Sequence, residues 1–352
     1  MALLDRLASE PKHGLRQRLI VIYAILITAN LAAWLWAFAV FRDQPVMLGT
    51  AFLAYVLGLR HAVDPDHIAA IDNVTRKLLQ EGGRPATVGF WFALGHSTVV
   101  VVACLLIAFL ASGANGALEE FRDIGNLIGT SVSTLFLLGI GLINLFIFIG
   151  VWKTFRNVRR TGYYREEDLD ALMAKHGFLA RLLRPLFARI SKSWHMYPLG
   201  FLFGLGFDTA TEIGLFSMAA ANAADGVSLS TVMVFPILFA VGMALADATD
   251  GTLMLGAYEW AYVNPVRKLF YNLTVTGMSV FIALIIGMLQ GVSLIAEKLE
   301  LTGAFWHWAA ALHDQFDVLG FIIVGLFVLV WGASALIYKL GDFDAITVER
   351  KA

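Results

Sequence analysis

Eight apolar runs, each long enough to cross a lipid bilayer as a helix, constrain this chain more than any other feature. They cover residues 19–41, 47–72, 86–111, 124–152, 197–222, 230–257, 266–296 and 316–340, and each exceeds the ~20 residues needed to span about 30 Å of hydrocarbon. Only 15% of the 352 residues are charged, while 59% are hydrophobic. Water-soluble domains carry about 25% charged residues. The expected fold class is an all-α polytopic membrane protein, one transmembrane domain over 1–352, with the lipid bilayer as its medium. A soluble enzyme, a disulfide-built scaffold and a nucleic-acid-binding domain are excluded. The single cysteine, Cys104, lies inside an apolar run. The first run is too long for a signal-peptide core and lacks a small-residue cleavage site, so it is read as the first span.

Loop charges set the orientation. With eight helices and both termini cytoplasmic, 22 of the 26 Lys and Arg residues fall on the inner side. Arg42, Arg122 and Lys298 fall outside, and Arg60 lies within a span. This is the positive-inside asymmetry, and shifting the count by one helix destroys it. Ten of the inner charges lie in 153–196, a basic cytoplasmic loop between helices four and five that is too short for its own core.

Ionisable residues interrupt these runs. Asp64, Asp66, Asp72, Asp208, Glu212, Asp247 and Asp250 lie in spans, as do Arg60, His61, His67 and His96. A charged group at the centre of a membrane helix costs about 3 kcal/mol on insertion scales. Seven carboxylates at that rate approach about 20 kcal/mol, beyond the stability of a typical domain. Intramembrane groups of this kind mark an ion or substrate path.

Spacing narrows the chemistry. In Arg60-His61-Ala62-Val63-Asp64-Pro65-Asp66-His67, residues 61, 64 and 67 form one stripe on a helix. Asp66 points off that stripe. Pro65 removes a backbone hydrogen bond and is expected to kink the helix, so Asp66 either swings inward or orients a histidine from behind. Leu94-Gly95-His96-Ser97-Thr98 adds a third imidazole. Asp208 with Glu212, and Asp247 with Asp250, place paired carboxylates on one face of two further helices. A structural network with Arg60 and nearby hydroxyls is the competing reading of those pairs. Imidazoles with carboxylates suit a borderline transition-metal dication, whereas magnesium and calcium take all-oxygen shells.

These segments resemble the nickel/cobalt transporter family, most closely the bacterial high-affinity nickel permeases. The resemblance rests on RHAVDPDHIAAIDN (60–73), LGHSTVV (94–100), LGFDTATE (205–212) and GMALADATDG (242–251). It covers nearly the whole chain and implies import of Ni²⁺, with Co²⁺ as a related substrate, across the bacterial cytoplasmic membrane. It also implies that His61, Asp64, Asp66 and His67 handle the ion and that Asn30, in the first span, bears on metal choice. Pro65 and Ala248 depart from the alanine and threonine usual in such permeases.

The leading function is therefore a secondary-type permease for a divalent metal ion, with His61, Asp64, Asp66, His67 and His96 at the metal. Asn30, Arg60, Asp72, Asp208, Glu212, Asp247 and Asp250 line the path or support it. No prosthetic group is expected; the metal is cargo. No phosphate-binding G-x-x-x-x-G-K-[ST] motif occurs, so neither ATP hydrolysis nor an ATPase subunit is implied. The alternatives are an intramembrane metal-dependent hydrolase, although H-E-x-x-H is absent, and a metal sensor signalling through 153–196.

Overall fold

The computed structural model describes residues 14–110, 115–161, 190–206, 209–224, 226–261, 265–313 and 315–340, and among these the regular structure is entirely helical. The helices are α1 (Leu15–Phe41), α2 (Pro45–His61), α3 (Pro65–Gln80), α4 (Val88–Leu110), α5 (Asn115–Thr161), α6 (Met196–Phe203), α7 (Ala210–Ala224), α8 (Leu229–Val232), α9 (Val234–Ala261), α10 (Pro265–Lys298), α11 (Ala304–His313) and α12 (Phe316–Leu340). A 3-10 turn, Ser193–His195, leads into α6. Most of the basic loop, residues 162–189, lies outside the described residues, as do both chain ends.

Five stretches are long and apolar enough to cross a membrane alone: Leu15–Phe41, Val88–Phe109, Ile124–Lys153, Leu229–Tyr258 and Thr276–Lys298. Together, α2 and α3 make a sixth, bent by 49°. The apolar part of α12, Val318–Ser334, is shorter. The protein is thus a multi-pass helical membrane protein. α1 shows how the bundle and the lipid share a helix. Ile22, Leu26, Asn30, Ala33, Ala37 and Phe41 form its buried stripe at three- and four-residue spacing, while Ile27, Leu31, Leu35 and Phe38 are exposed. An apolar surface of that extent is at ease only in hydrocarbon.

Two expected spans prove to be broken. The second is not one kinked helix: α2 stops at His61 and α3 restarts at Pro65. The residue before a proline is driven out of the α region, and Asp64 is extended, with φ −62° and ψ 141°. Pro65 then takes the first helical position, where its missing N–H is harmless. The stripe of 61, 64 and 67 therefore belongs to two helix ends and the break between them. The fifth expected span likewise divides into α6 and α7, with Gly204 closing α6. α11 lies between 296 and 316, where no element was expected.

α9 is the central post, packing on α1, α2, α3, α4 and α7. It approaches two neighbours at backbone distance. A Cβ on Gly58 would lie 2.1 Å from the Phe239 carbonyl oxygen, and one on Gly89 would lie 1.9 Å from that of Asp247. Only glycine permits these crossings, the usual device for close helix association in lipid. α5 and α10 pack along each other and flank α3 on another side.

Candidate metal centre

The break between α2 and α3 puts three side chains from a short segment into one pocket. His61 comes from the last turn of α2, Asp64 from the break and His67 from the first turn of α3. Asp64 holds the N-cap position of α3, yet its side chain makes no cap hydrogen bond. Its Oδ2 lies 2.8 Å from His61 Nδ1 instead. An aspartate at this position normally stabilises its own helix by about 1 kcal/mol; here the carboxylate serves the pocket.

α4 supplies His96, α7 supplies Thr211 and Glu212, and α9 supplies Asp247. One ligand atom from each of His61, His67 and His96 lies within 4.8 Å of the other two. The His61 and His96 Nε2 atoms are 2.9 Å apart. Glu212 Oε1 is 3.0 Å from His96 Nε2 and 3.8 Å from His61 Nε2. Thr211 Oγ1 sits 3.0 Å from His61 Nδ1, so that imidazole is held by its Nδ1 edge with Nε2 turned to the cluster. His67 is held the same way: its Nδ1 faces Asp247 Oδ2 at 3.2 Å, while its buried Nε2 has no hydrogen-bond partner. Carboxylate on one ring nitrogen and a free second nitrogen is how metal-binding imidazoles are commonly oriented. Phe92 stands edge-on to His67 with centroids 4.8 Å apart, and Phe239 packs near His61. None of His61, Asp64, His67, His96, Thr211, Glu212 or Asp247 is more than 3% exposed.

A buried imidazole nitrogen without a partner forfeits a hydrogen bond, a cost of about 1–3 kcal/mol. Three imidazole nitrogens within 4.8 Å of one another, with the Asp64, Asp247 and Glu212 carboxylates against the rings, form a donor set for nickel, cobalt or zinc rather than for a hard oxygen-seeking cation.

The remaining sequence-nominated residues fall elsewhere. Asp66 turns from the imidazoles: its Oδ1 accepts the His67 backbone N–H at 3.0 Å and its Oδ2 accepts from Gln290 Nε2 at 3.3 Å. Asp72 belongs to a second buried cluster on α3, where the Tyr258 hydroxyl and Ser279 Oγ donate to its two oxygens. Arg76, one turn on, donates to Thr276 Oγ1 at 2.8 Å and Asn73 Oδ1 at 2.9 Å, and Asn144 donates to Asn73 Oδ1. Asp250 lies one turn beyond Asp247 and keeps a buried Oδ2 without a hydrogen-bond partner. Asn30 ties α1 to α9, donating to the Leu26 and Val241 carbonyls at 2.8 and 3.2 Å. Arg60 sits half-buried in the last turn of α2, and Asp208 lies outside the described residues. Sequence reasoning passed over Thr211, Phe92, Phe239 and Gln290. Thr211 carried a signal, standing next to Glu212; the other three look like ordinary span residues until packing is known.

Over residues 47–337 the chain matches the profile of the high-affinity nickel-transport protein family. The high-affinity nickel transport protein of Cupriavidus necator is 54% identical over 329 residues, 94% of each chain. The nickel transporter NixA of Staphylococcus aureus is 45% identical over 321 residues, covering 91% of this chain and 94% of that one. The cobalt transport protein NhlF of Rhodococcus rhodochrous is 39% identical over 297 residues, 84% of each. No solved structure matches the chain.

Proposed function

The chain belongs to the high-affinity nickel-transport protein family, a family of transporters and not of enzymes, and on that premise we propose that it is a secondary-type permease importing Ni²⁺, with Co²⁺ as a second substrate. The observation that carries this reading is the sealed cluster of His61, His67 and His96, with His67 Nε2 free of any partner. The cobalt transporter among its relatives supports the second substrate. Nothing among the relatives favours a hydrolase. The reading includes eight spans with both termini cytoplasmic, in the bacterial inner membrane, on the strength of the loop charges.

In this scheme the dication arrives hydrated from outside and exchanges water for imidazole at His61, His67 and His96. Asp64 and Asp247 hold two of the rings by their Nδ1 edges, and Glu212 supplies charge close to the metal. Asn30 bears on metal choice through the α1–α9 contact, not by ligation. The α2–α3 break, with the second break between α6 and α7, gives the bundle points at which helix halves move separately; discontinuous helices at a buried ion site are a recurring transporter arrangement. A dication moving inward along the membrane potential gains about 4.6 kcal/mol per 100 mV. Asp250 and the Asp72 cluster lie on the inner side of the imidazoles and form the way out.

Uptake of radioactive nickel into cells expressing the chain tests the proposal. The intact protein accumulates nickel, His67→Ala abolishes accumulation at equal membrane levels, and excess unlabelled cobalt competes. A correctly inserted intact protein that accumulates no nickel overturns it.

A further inference from the structure

The histidine cluster is closed on every side, so an arriving ion needs a route to it. One face of α5 carries Asn126, Thr130, Ser133 and Thr134 at helical spacing. They fall in the first part of the apolar stretch Ile124–Lys153, and Ser133 and Thr134 meet α10 where that helix carries Gln290 and Gly291. Two hydrogen bonds lead from this face to α3 by way of Gln290, and a third lies within α5. Thr130 Oγ1 donates to Asn126 Oδ1 at 2.9 Å, Ser133 Oγ donates to Gln290 Oε1 at 2.9 Å, and Gln290 Nε2 donates to Asp66 Oδ2 at 3.3 Å. Thr134 packs against Gly291 and keeps a buried hydroxyl without a partner. Asp66 ends the series beside His67, and unlike the sealed carboxylates of the pocket it is half-buried only.

We propose that this track is the outer access route for the hydrated divalent metal ion, with Asp66 as the station from which the ion passes to His67. The inference rests on the orientation and nickel reading proposed above, which place Asn126 and Gln290 in the outer half of the membrane. The donor chemistry fits that task. Hydroxyls and amides replace outer-shell water around a hydrated dication without stripping its inner shell, and Asp66 supplies the first full negative charge it meets. Packing alone offers little reason for the series, since interhelical hydrogen bonds in membranes average about 0.6 kcal/mol each. A pure packing role also leaves the Thr134 hydroxyl unexplained.

The single cysteine makes the test direct. In a Cys104→Ser background, single cysteines replace Thr130, Ser133 and Gln290. Arg42→Cys serves as the external control and Leu135→Cys as the control on the exposed apolar side of α5. Whole cells are treated with a membrane-impermeant cationic methanethiosulfonate, with and without Ni²⁺. The route predicts modification at 130, 133 and 290, slowed several-fold by Ni²⁺, and none at 135. Inertness at all three while position 42 reacts overturns the route, and so does modification that Ni²⁺ leaves unchanged. Thr134→Val supplies a second readout: it removes a hydroxyl that bonds to nothing, so a structural role predicts unaltered kinetics, whereas the route predicts a several-fold higher KM for nickel at unchanged maximal rate. An intact protein that inserts but moves no nickel counts against the transport reading itself, independently of the labelling pattern.

Discussion

His67 shows how one residue's surroundings decide its chemistry. A histidine buried for packing alone would satisfy both ring nitrogens, yet here Nδ1 is held by Asp247 and Nε2 is left bare. The carboxylate fixes the ring and makes the opposite nitrogen a better donor to a metal. Asp247→Asn keeps the shape and removes the charge. It is expected to weaken nickel binding about 10–100-fold, measured as a rise in Kd by titration of the purified protein, with folding intact by circular dichroism. An unchanged affinity would mean that Asp247 only fills space. His61 and His96 share contacts with Glu212, so their variants are less discriminating: each leaves another buried charge unpartnered.

The helices explain why part of this site was legible in sequence and part was not. Pro65 announced an interruption, and the cost of placing such groups in lipid singled out His61, Asp64, His67 and His96 as candidate metal residues and Glu212 and Asp247 as candidates for the path or its support. The form of the interruption did not follow, because a proline inside an apolar run reads equally as a kink or a break. It is the extended backbone of Asp64 that decides. Asp66 is part of the signature that carries the family resemblance and is expected at the metal on that ground, while its spacing leaves it either there or behind a histidine. The restart of α3 gives it a hydrogen bond from Gln290 on α10. Glycine crossings could be suspected from sequence but not paired: nothing local shows that Gly58 meets Phe239 or that Gly89 meets Asp247. The Gly58 crossing also positions α2 and thus His61. Gly58→Val forces α2 from α9 and is expected to destabilise the protein by at least about 1–3 kcal/mol, seen as a lower Tm in detergent, whereas Gly49→Ala, at a helical position with nothing within 4 Å, leaves Tm the same or slightly raised.

On the scale of the molecule, a bundle with lipid-facing apolar surface encloses two buried polar centres among the described residues, the imidazole cluster at the start of α3 and the Asp72–Arg76 cluster further along it. Hydropathy predicts such a bundle and loop charge its expected orientation; which polar residues gather in which centre depends on helix pairing. A chain that moves a dication along the membrane potential needs no nucleotide. Inside-negative diffusion potentials in vesicles reconstituted with the purified protein are therefore expected to drive nickel accumulation without ATP, and to drive less of it as the potential is reduced. Dependence on added ATP would contradict the secondary-type reading. The claim at the centre of the account is that three buried imidazoles hold the transported metal. X-ray absorption at the nickel edge of the loaded, purified protein tests it most directly. The account predicts the multiple-scattering signature of about three imidazole ligands, diminished in His67→Ala. A shell of oxygen donors alone, identical in the protein and the variant, would contradict it.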